Sequence, residues 1–273
     1  MPSVSLRTVA SARREPNVGW YASVDTEVGD TVRVISYNLR KNRASVELEA
    51  LVNRYNPDML CLQEVDTQAL PAEISTLHLA DATARNRLGL AIYYRKDRFA
   101  AIETRTFALK KSLHDRLLTP AHERLIGTRL TDHAAERELV IASFHAAPLT
   151  ARNSLRRNQI RSAHEELHSL GPGLPTLMVG DYNYPLFKEN LSEKVQSRGY
   201  DLTLSDSRTY TRYKVFRGHY DLATSIGLTI GHIETLPRGT SDHMPILVSA
   251  TYSDAATIEV PSPVQVPGDT FTI

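Results

Sequence analysis

"TLMVGDYNYP", residues 176–185, runs from an apolar segment straight into an acid and an amide. Four apolar or β-prone residues stop at Gly180, and Asp181, Tyr182 and Asn183 follow. Positions i and i+2 of a strand face the same side, so a strand ending here would deliver an acid and an amide to one edge. Gly, Asp and Asn are also the usual turn formers, and the stretch taken alone reads first as a plain turn.

Working outward, the flanks supply more strands. "TVRVISYNL" (31–39) begins by alternating apolar and polar residues, and "DMLCLQEV" (58–65) is the nearly continuous apolar run of a central strand. "GLAIYYR" (89–95) and "FAAIETRTFAL" (99–109) are separated by a short polar break and predict a hairpin. "RLIGTRL", "ELVIASFH", "YDLATSIG" and "MPILVSATY" complete the set. Helices are predicted over 44–56, ended by Pro57, over 151–170, ended by "GPG", and over 186–199, closing on Gly199. Leu155, Ile160, Ala163, Leu167 and Leu170 form the inner stripe expected of the second. Many strands with few helices point to a layered mixed α/β domain.

The chain has 273 residues and a formal net charge of +1, so any polyanionic partner must be held by a local patch and not by a global field. Cys61 is the single cysteine, inside an apolar run, which excludes a disulfide framework and suits a buried core position. No run of 18 apolar residues is present, and the Ser- and Arg-rich start lacks the apolar segment of a secretory signal. Residues 1–28 read as an N-terminal extension, 29–253 as the working domain and 254–273 as a Pro-containing tail. The expectation is a cytoplasmic monomer without stable membrane association.

The polar residues that finish the strands carry the chemistry. Asn38 ends the first and Glu64 the second. His145 ends "ELVIASFH", Asp181 and Asn183 follow "TLMVG", Asp221 opens "DLATS", and Asp242 with His243 precede the last strand. Each alone is a turn residue, a solvated strand end or a structural histidine. Together they make a polar rim on a rigid scaffold, where function is usually carried. Carboxylate and amide oxygens suit a hard Mg²⁺-like ion better than zinc. Imidazoles and amide donors suit a phosphate whose charge grows during attack, and a carboxylate or imidazole beside a water can act as general base. This combination reads as metal-assisted phosphoester hydrolysis.

The ordered set "YN", "QE", "SFHAAP", "GDYN", "YD" and "SDH", spanning roughly residues 31–252, resembles the endonuclease/exonuclease/phosphatase superfamily. "HAAP" and "YD…SDH" look most like its deoxyribonuclease I branch. The resemblance implies a four-layer α/β sandwich, two packed mixed β-sheets flanked by helices, with the site at one end of the sheets. It implies Asn38, Glu64 and Asp242 as holders of Mg²⁺ (or Mn²⁺). Asp181 would orient or deprotonate the attacking water and Asn183 would bind the scissile phosphate. Asp221 would pair with a phosphate-facing His243, and His145 would be the second imidazole. Two departures stand out. Tyr182 occupies a position where the family usually has Phe. The stretch "ARNRLGLAIYYR" (84–95) lacks the carboxylate that supports the first histidine in the deoxyribonuclease I branch, which puts a protonated His145 in doubt.

Substrate class is read from local charge. "TARNSLRRNQIR" (150–161) carries Arg152, Arg156, Arg157 and Arg161 with no acid, and on a helix 152/156 and 157/161 form two adjacent basic rows. Lys110, Lys111, Arg116 and Arg124 form a second basic stretch, and Arg40 matches a DNA-contacting position of the deoxyribonuclease I branch. A solvated, ion-paired helix face is the plain alternative. Beside the proposed site, however, these arginines favour a nucleic-acid backbone as substrate, with Arg40, Arg152, Arg156 and Arg157 in contact with it. A phospholipase or inositol-phosphate phosphatase is a second possibility, for which the aromatic stretch "TYTRYKVF" (209–216) would be the membrane-facing element. A non-catalytic nucleic-acid-binding module is a third.

Overall fold

The computed structural model describes residues 31–111, 122–184, 188–210 and 218–253. The expected N-terminal extension, the C-terminal tail, Arg116 and most of the aromatic stretch 209–216 lie outside these residues.

Among the described residues, thirteen strands form two sheets. The first has seven, in the order β12-β13-β1-β2-β5-β4-β3: β12 Leu228–Thr235, β13 Ile246–Tyr252, β1 Thr31–Asn38, β2 Met59–Val65, β5 Gly89–Arg95, β4 Leu77–Ala82 and β3 Glu73–Ile74. The second has six, in the order β10-β11-β9-β8-β7-β6: β10 Asp201–Leu204, β11 Asp221–Ile226, β9 Thr176–Asp181, β8 Arg137–His145, β7 Leu125–Asp132 and β6 Phe99–Phe107. Each sheet has one parallel pair at its centre, β1 with β2 and β8 with β9; the other ladders are antiparallel. A parallel pair needs a crossover. A 3₁₀ turn at Ser45–Glu47 leading into helix α1 (Leu48–Tyr55) makes the first, and α2 (Asn153–Leu170) makes the second. Helix α3 (Lys188–Gln196) follows β9.

Alternation sorts the side chains into three apolar layers. Val32 and Val34 of β1, Met59 and Cys61 of β2, Ile141 of β8 and Leu177 and Val179 of β9 meet between the sheets. The alternate set, Ile35, Tyr37, Leu60 and Leu62, packs outward under Leu48 and Val52 of α1. Val140, Ala142, Phe144 and Met178 pack outward under Ile160, Ala163 and Leu167 of α2 and Leu191 and Val195 of α3. The result is the expected four layers. Cys61 is fully buried, and burial pushes its thiol far above the usual range.

The β5–β6 hairpin does not form. β5 already pairs with β2 on one edge and β4 on the other, so β6 has no edge to join and crosses to the second sheet beside β7. Arg98 locks that corner, donating to Thr31 O at 2.8 Å and to both Asp132 oxygens at 3.0 and 2.7 Å. The helix stripe also differs from expectation: Leu155 is half-buried, while Arg156, Gln159 and His164 join the inner face.

Candidate active site

Topology brings the polar strand ends together. A parallel pair finishes at one edge, so Asn38 and Glu64 emerge together from β1 and β2, and His145 and Asp181 emerge in register from β8 and β9. The antiparallel neighbours start where these end. Asp221, first residue of β11, pairs with Asp181, and the turn carrying Asp242 and His243 enters β13 beside β1. Asn38, His145, Asp181 and Asp221 continue the period-two series of the face between the sheets, so the same alternation that builds the core aims them at one space. A polar floor separates that space from the core: Gln63 Nε2 donates to Ser36 Oγ (3.1 Å) and Ser143 Oγ (2.9 Å), and Ser143 Oγ donates to Leu62 O.

The stretch that opened the reading is both a turn and a strand end. The strand stops at Asp181, whose Oδ1 accepts the Asn183 amide at 2.9 Å, while Asn183 sits in the left-handed region at φ 47°. The kink turns the Asn183 side chain back toward Asp181. Gly180 makes the approach possible: at φ 148°, a Cβ there would lie 1.9 Å from Phe144 O on β8.

Asp181 Oδ2 is the centre of the site. Asn38 Nδ2 lies at 3.1 Å, Asn183 Nδ2 at 3.3 Å, and the Nε2 atoms of His145 and His243 each at 3.6 Å. His243 Nδ1 is 2.9 Å from Asp221 Oδ2, and Thr209 Oγ1 accepts the Tyr220 and Asp221 amides, holding that carboxylate in place. Ser241 Oγ accepts from His243 N and donates to Asn38 O at 2.7 Å, tying the "SDH" turn to β1.

Electrostatics divides the two imidazoles. Burial works against charge on His243, but Asp221, Asp181 and Asp242 outweigh it and push its pKa up to about 10. His145 has no such company. Burial dominates, Asp181 resists and Arg124 assists, and the pKa is pushed down to about 4. At neutral pH His243 is a cation and His145 a neutral hydrogen-bonding ring. Burial raises the Asp181 carboxyl above the usual range; His243 opposes that shift and Asp221 adds to it.

Glu64 is presented differently. It falls at a β-bulge, where the β2–β5 register shifts between Gln63 and Val65, and its φ is 55°. Bulges re-aim side chains. The loop beyond β1 wraps it: Lys41 N donates to Glu64 Oε2 and Asn42 N to Glu64 O, each at 2.8 Å. Arg40, Lys41 and Asn42 are all left-handed (φ 48°, 56°, 63°), a conformation costing L-residues about 1–2 kcal/mol each. The turn directs Arg40 Nε to within 3.5 Å of Asp242 Oδ2.

The donor set of Asn38, Glu64 and Asp242 is all oxygen, which fits a hard divalent cation such as Mg²⁺ or Mn²⁺. A second group, Asp181, Asp221 and His243, offers ligand atoms within 4.8 Å of one another. Within it His243 Nδ1 is 2.9 Å from Asp221 Oδ2, a contact that a metal ion there would have to replace.

The basic residues sort less uniformly. Arg152 is exposed just before α2, and Arg157 Nη1 donates to Tyr184 Oη at 3.0 Å, next to Asn183. Arg156 corrects the expected 152/156 row. It is 3% exposed, with its guanidinium donating to Pro148 O, which also accepts the Ala151 amide, and to Asn153 Oδ1, each at 2.7 Å, so it ties the loop after His145 to the start of α2. Arg124 is likewise buried and donates to the carbonyls of His145 and Ala146. Both shape the "HAAP" turn from beneath. The floor residues Ser36, Gln63 and Ser143 and the tethers Thr209 and Ser241 went unread in the sequence. Ser36 and Ser143 do leave a signal, a polar residue two places before Asn38 and His145.

The model of the Endonuclease/Exonuclease/phosphatase family matches residues 35–243. Protein angel of Drosophila melanogaster is 26% identical over 171 residues, covering 57% of this chain and 46% of its own length, so the chain spans about half of that relative. Among solved structures, D. rerio TDP2 complexed with a single-strand DNA product superposes with a TM-score of 0.64 at 15% identity, covering 81% of this chain and 99% of that one. A Bacteroides thetaiotaomicron mannosyl-6-phosphatase gives 0.62 at 17% identity, covering 81% and 100%. At these identities the superpositions speak for the shared fold. With its family model matched over most of the chain and its strand-end carboxylates, amides and imidazoles gathered at one edge of a two-sheet sandwich, the protein belongs to the endonuclease/exonuclease/phosphatase family of phosphoester hydrolases.

Proposed function

We propose that the chain is a divalent-metal-dependent phosphodiester hydrolase acting on nucleic acid, with Asp181 as the base that takes a proton from the attacking water. The observation that carries this reading is the ring of donors around Asp181 Oδ2. Four N–H-bearing side chains converge on one anionic oxygen, the arrangement a phosphoryl group needs when its charge grows.

Asn183 Nδ2, His145 Nε2 and His243 Nε2 bind the non-bridging oxygens of the scissile phosphate. His243 carries the positive charge, kept there by Asp221. His145 contributes a neutral hydrogen bond, in keeping with its low pKa. Asp181 is fixed by the Asn183 amide and Asn38 Nδ2, and its raised pKa makes it a better acceptor for the proton of water. Asn38, Glu64 and Asp242 would hold the divalent ion, which supplies Lewis-acid stabilisation of the phosphate oxygens.

Nucleic acid is favoured by what borders the site. A groove of about 770 Å³, with Lys41, Asn42, Thr67, Asn86 and Arg87 among the residues that line it, opens beside the loop that wraps Glu64. Arg40 beside Asp242, Arg157 beside Asn183 and the exposed Arg152 would contact backbone phosphates. The TDP2 structure with its DNA product supports such a substrate by analogy of fold. A small sugar phosphate is the second reading, favoured by the mannosyl-6-phosphatase neighbour and by Asp66 and Asp81 in the same groove. The test is a gel assay with supercoiled plasmid, single-stranded DNA and RNA, in Mg²⁺ and in EDTA. Metal-dependent cleavage that disappears in Asp181→Ala is expected. Intact polymers together with hydrolysis of a sugar monophosphate would replace the first reading with the second.

A further inference from the structure

The basic row 157/161 extends beyond the active site. It faces a separate cleft of about 370 Å³ between α2 and α3, within the size range of small-molecule pockets. Arg157 and Arg161 line it from α2, and Lys194 and Arg198 from α3 and the turn that follows. One carboxylate offsets them: Glu165 lies 3.9 Å from Arg161 and 3.5 Å from Arg198. Four cations against one acid leave a positive surplus in a concave space.

His164 also lines this cleft. It is 4% exposed and stacked flat on Tyr200, with ring centroids 3.8 Å apart. Its Nε2 is 2.9 Å from Thr224 Oγ1, but its Nδ1 is buried without a hydrogen-bond partner. That nitrogen is closed to solvent, while other atoms of the residue line the cleft wall. We propose that the cleft between α2 and α3 is a second anion site, which takes a phosphate-bearing ligand between Arg157, Arg161, Lys194 and Arg198, against the wall to which His164 belongs.

The site is wired to the catalytic turn. Arg157 also holds Tyr184, and Thr224 bridges His164 to the Tyr182 hydroxyl at 3.0 Å. Tyr182 and Tyr184 flank Asn183, so a ligand that draws on Arg157 or His164 acts on the two neighbours of a phosphate-facing amide. The anion could be free, such as a phosphate or nucleotide, or a backbone phosphate of a bound strand.

The experiment uses the full chain in EDTA, where turnover does not interfere. Pyrophosphate and a 5′-phosphorylated oligonucleotide are titrated separately by calorimetry, with the His164 ring signals followed by NMR. Wild type, Arg161→Glu/Lys194→Glu and Arg40→Ala are compared, each first shown to be folded by thermal melting. The double variant is expected to weaken binding by at least about tenfold, a loss of about 1.4 kcal/mol, and to abolish the His164 shift, while Arg40→Ala keeps that shift. Pyrophosphate binding identifies a free anion; binding of the oligonucleotide alone identifies a strand phosphate. No binding by wild type, or equal binding with the double variant, overturns the proposal and leaves the active-site reading intact.

Discussion

His243 and His164 are nearly equally hidden, at 6% and 4% exposure, yet at neutral pH the first is a cation and the second is neutral. At the strand-end rim, burial works against the charge on His243, and three carboxylates overcome it to lift the pKa to about 10. In the helix cleft, burial of His164, reinforced by Arg198, lowers it to about 3, where the ring meets a tyrosine face and a threonine hydroxyl. Burial removes water from both; the neighbours decide what replaces it. A lone buried histidine therefore says little about chemistry, and a buried histidine ringed by acids says a great deal.

The largest effects should fall at the rim. His243→Gln removes the cation that faces the phosphate and should lower kcat by on the order of 10²–10⁴-fold, read in a steady-state assay on whichever phosphoester the protein hydrolyses. Asp221→Asn keeps the shape but weakens the hold on the imidazolium, and should fall in the same range. A variant with near wild-type kcat would mean that the charge on His243 is structural, and the contrast with His164 would collapse.

Arg156 tests the same lesson in a cation. It was expected at the substrate and instead donates to Pro148 O and Asn153. Arg156→Met should cost about 1–3 kcal/mol of stability in urea unfolding, by removing the charge-assisted bonds to Pro148 O and Asn153 Oδ1 that pin the loop after His145. Exposed Arg152→Ala should leave stability unchanged and affect only KM.

The cleft gives the subtlest prediction. The folded state refuses a proton on His164 that the unfolded chain accepts near its ordinary pKa of about 6.5. Stability tied to His164 is therefore complete above about pH 6.5 and is lost as pH falls toward about 3, with a slope approaching about 1.4 kcal/mol per pH unit. Urea midpoints at pH 7 and pH 5 should converge in His164→Gln relative to wild type. An unchanged pH slope would show that His164 is charged in the fold.

Much of this architecture was legible because the central strands are buried on both faces and read as apolar runs. The edge strands β3, β10 and β12, and β4 next to an edge, were not. They are short or half-exposed, as in "LTIGHIET", and carry no continuous apolar signal. The β5–β6 hairpin failed because pairing depends on which sheet edges are free, a property of the whole assembly and not of the linker. At the site, strand-end polarity pointed to the residues the fold gathers around Asp181. The bulge that turns Glu64, and the inward path of Arg156 on an otherwise basic helix, depend on tertiary partners that no local pattern encodes.

The central claim is that the donor ring around Asp181 Oδ2 is the catalytic centre. The most direct measurement is single-turnover hydrolysis by Asp181→Asn beside wild type at saturating Mg²⁺, with thermal melting on both. Asparagine keeps the volume and loses the base, so the rate should drop by on the order of 10²–10⁴-fold with melting temperature held or raised, since a desolvated carboxylate has been removed. A variant that folds like wild type and retains its rate would contradict the account.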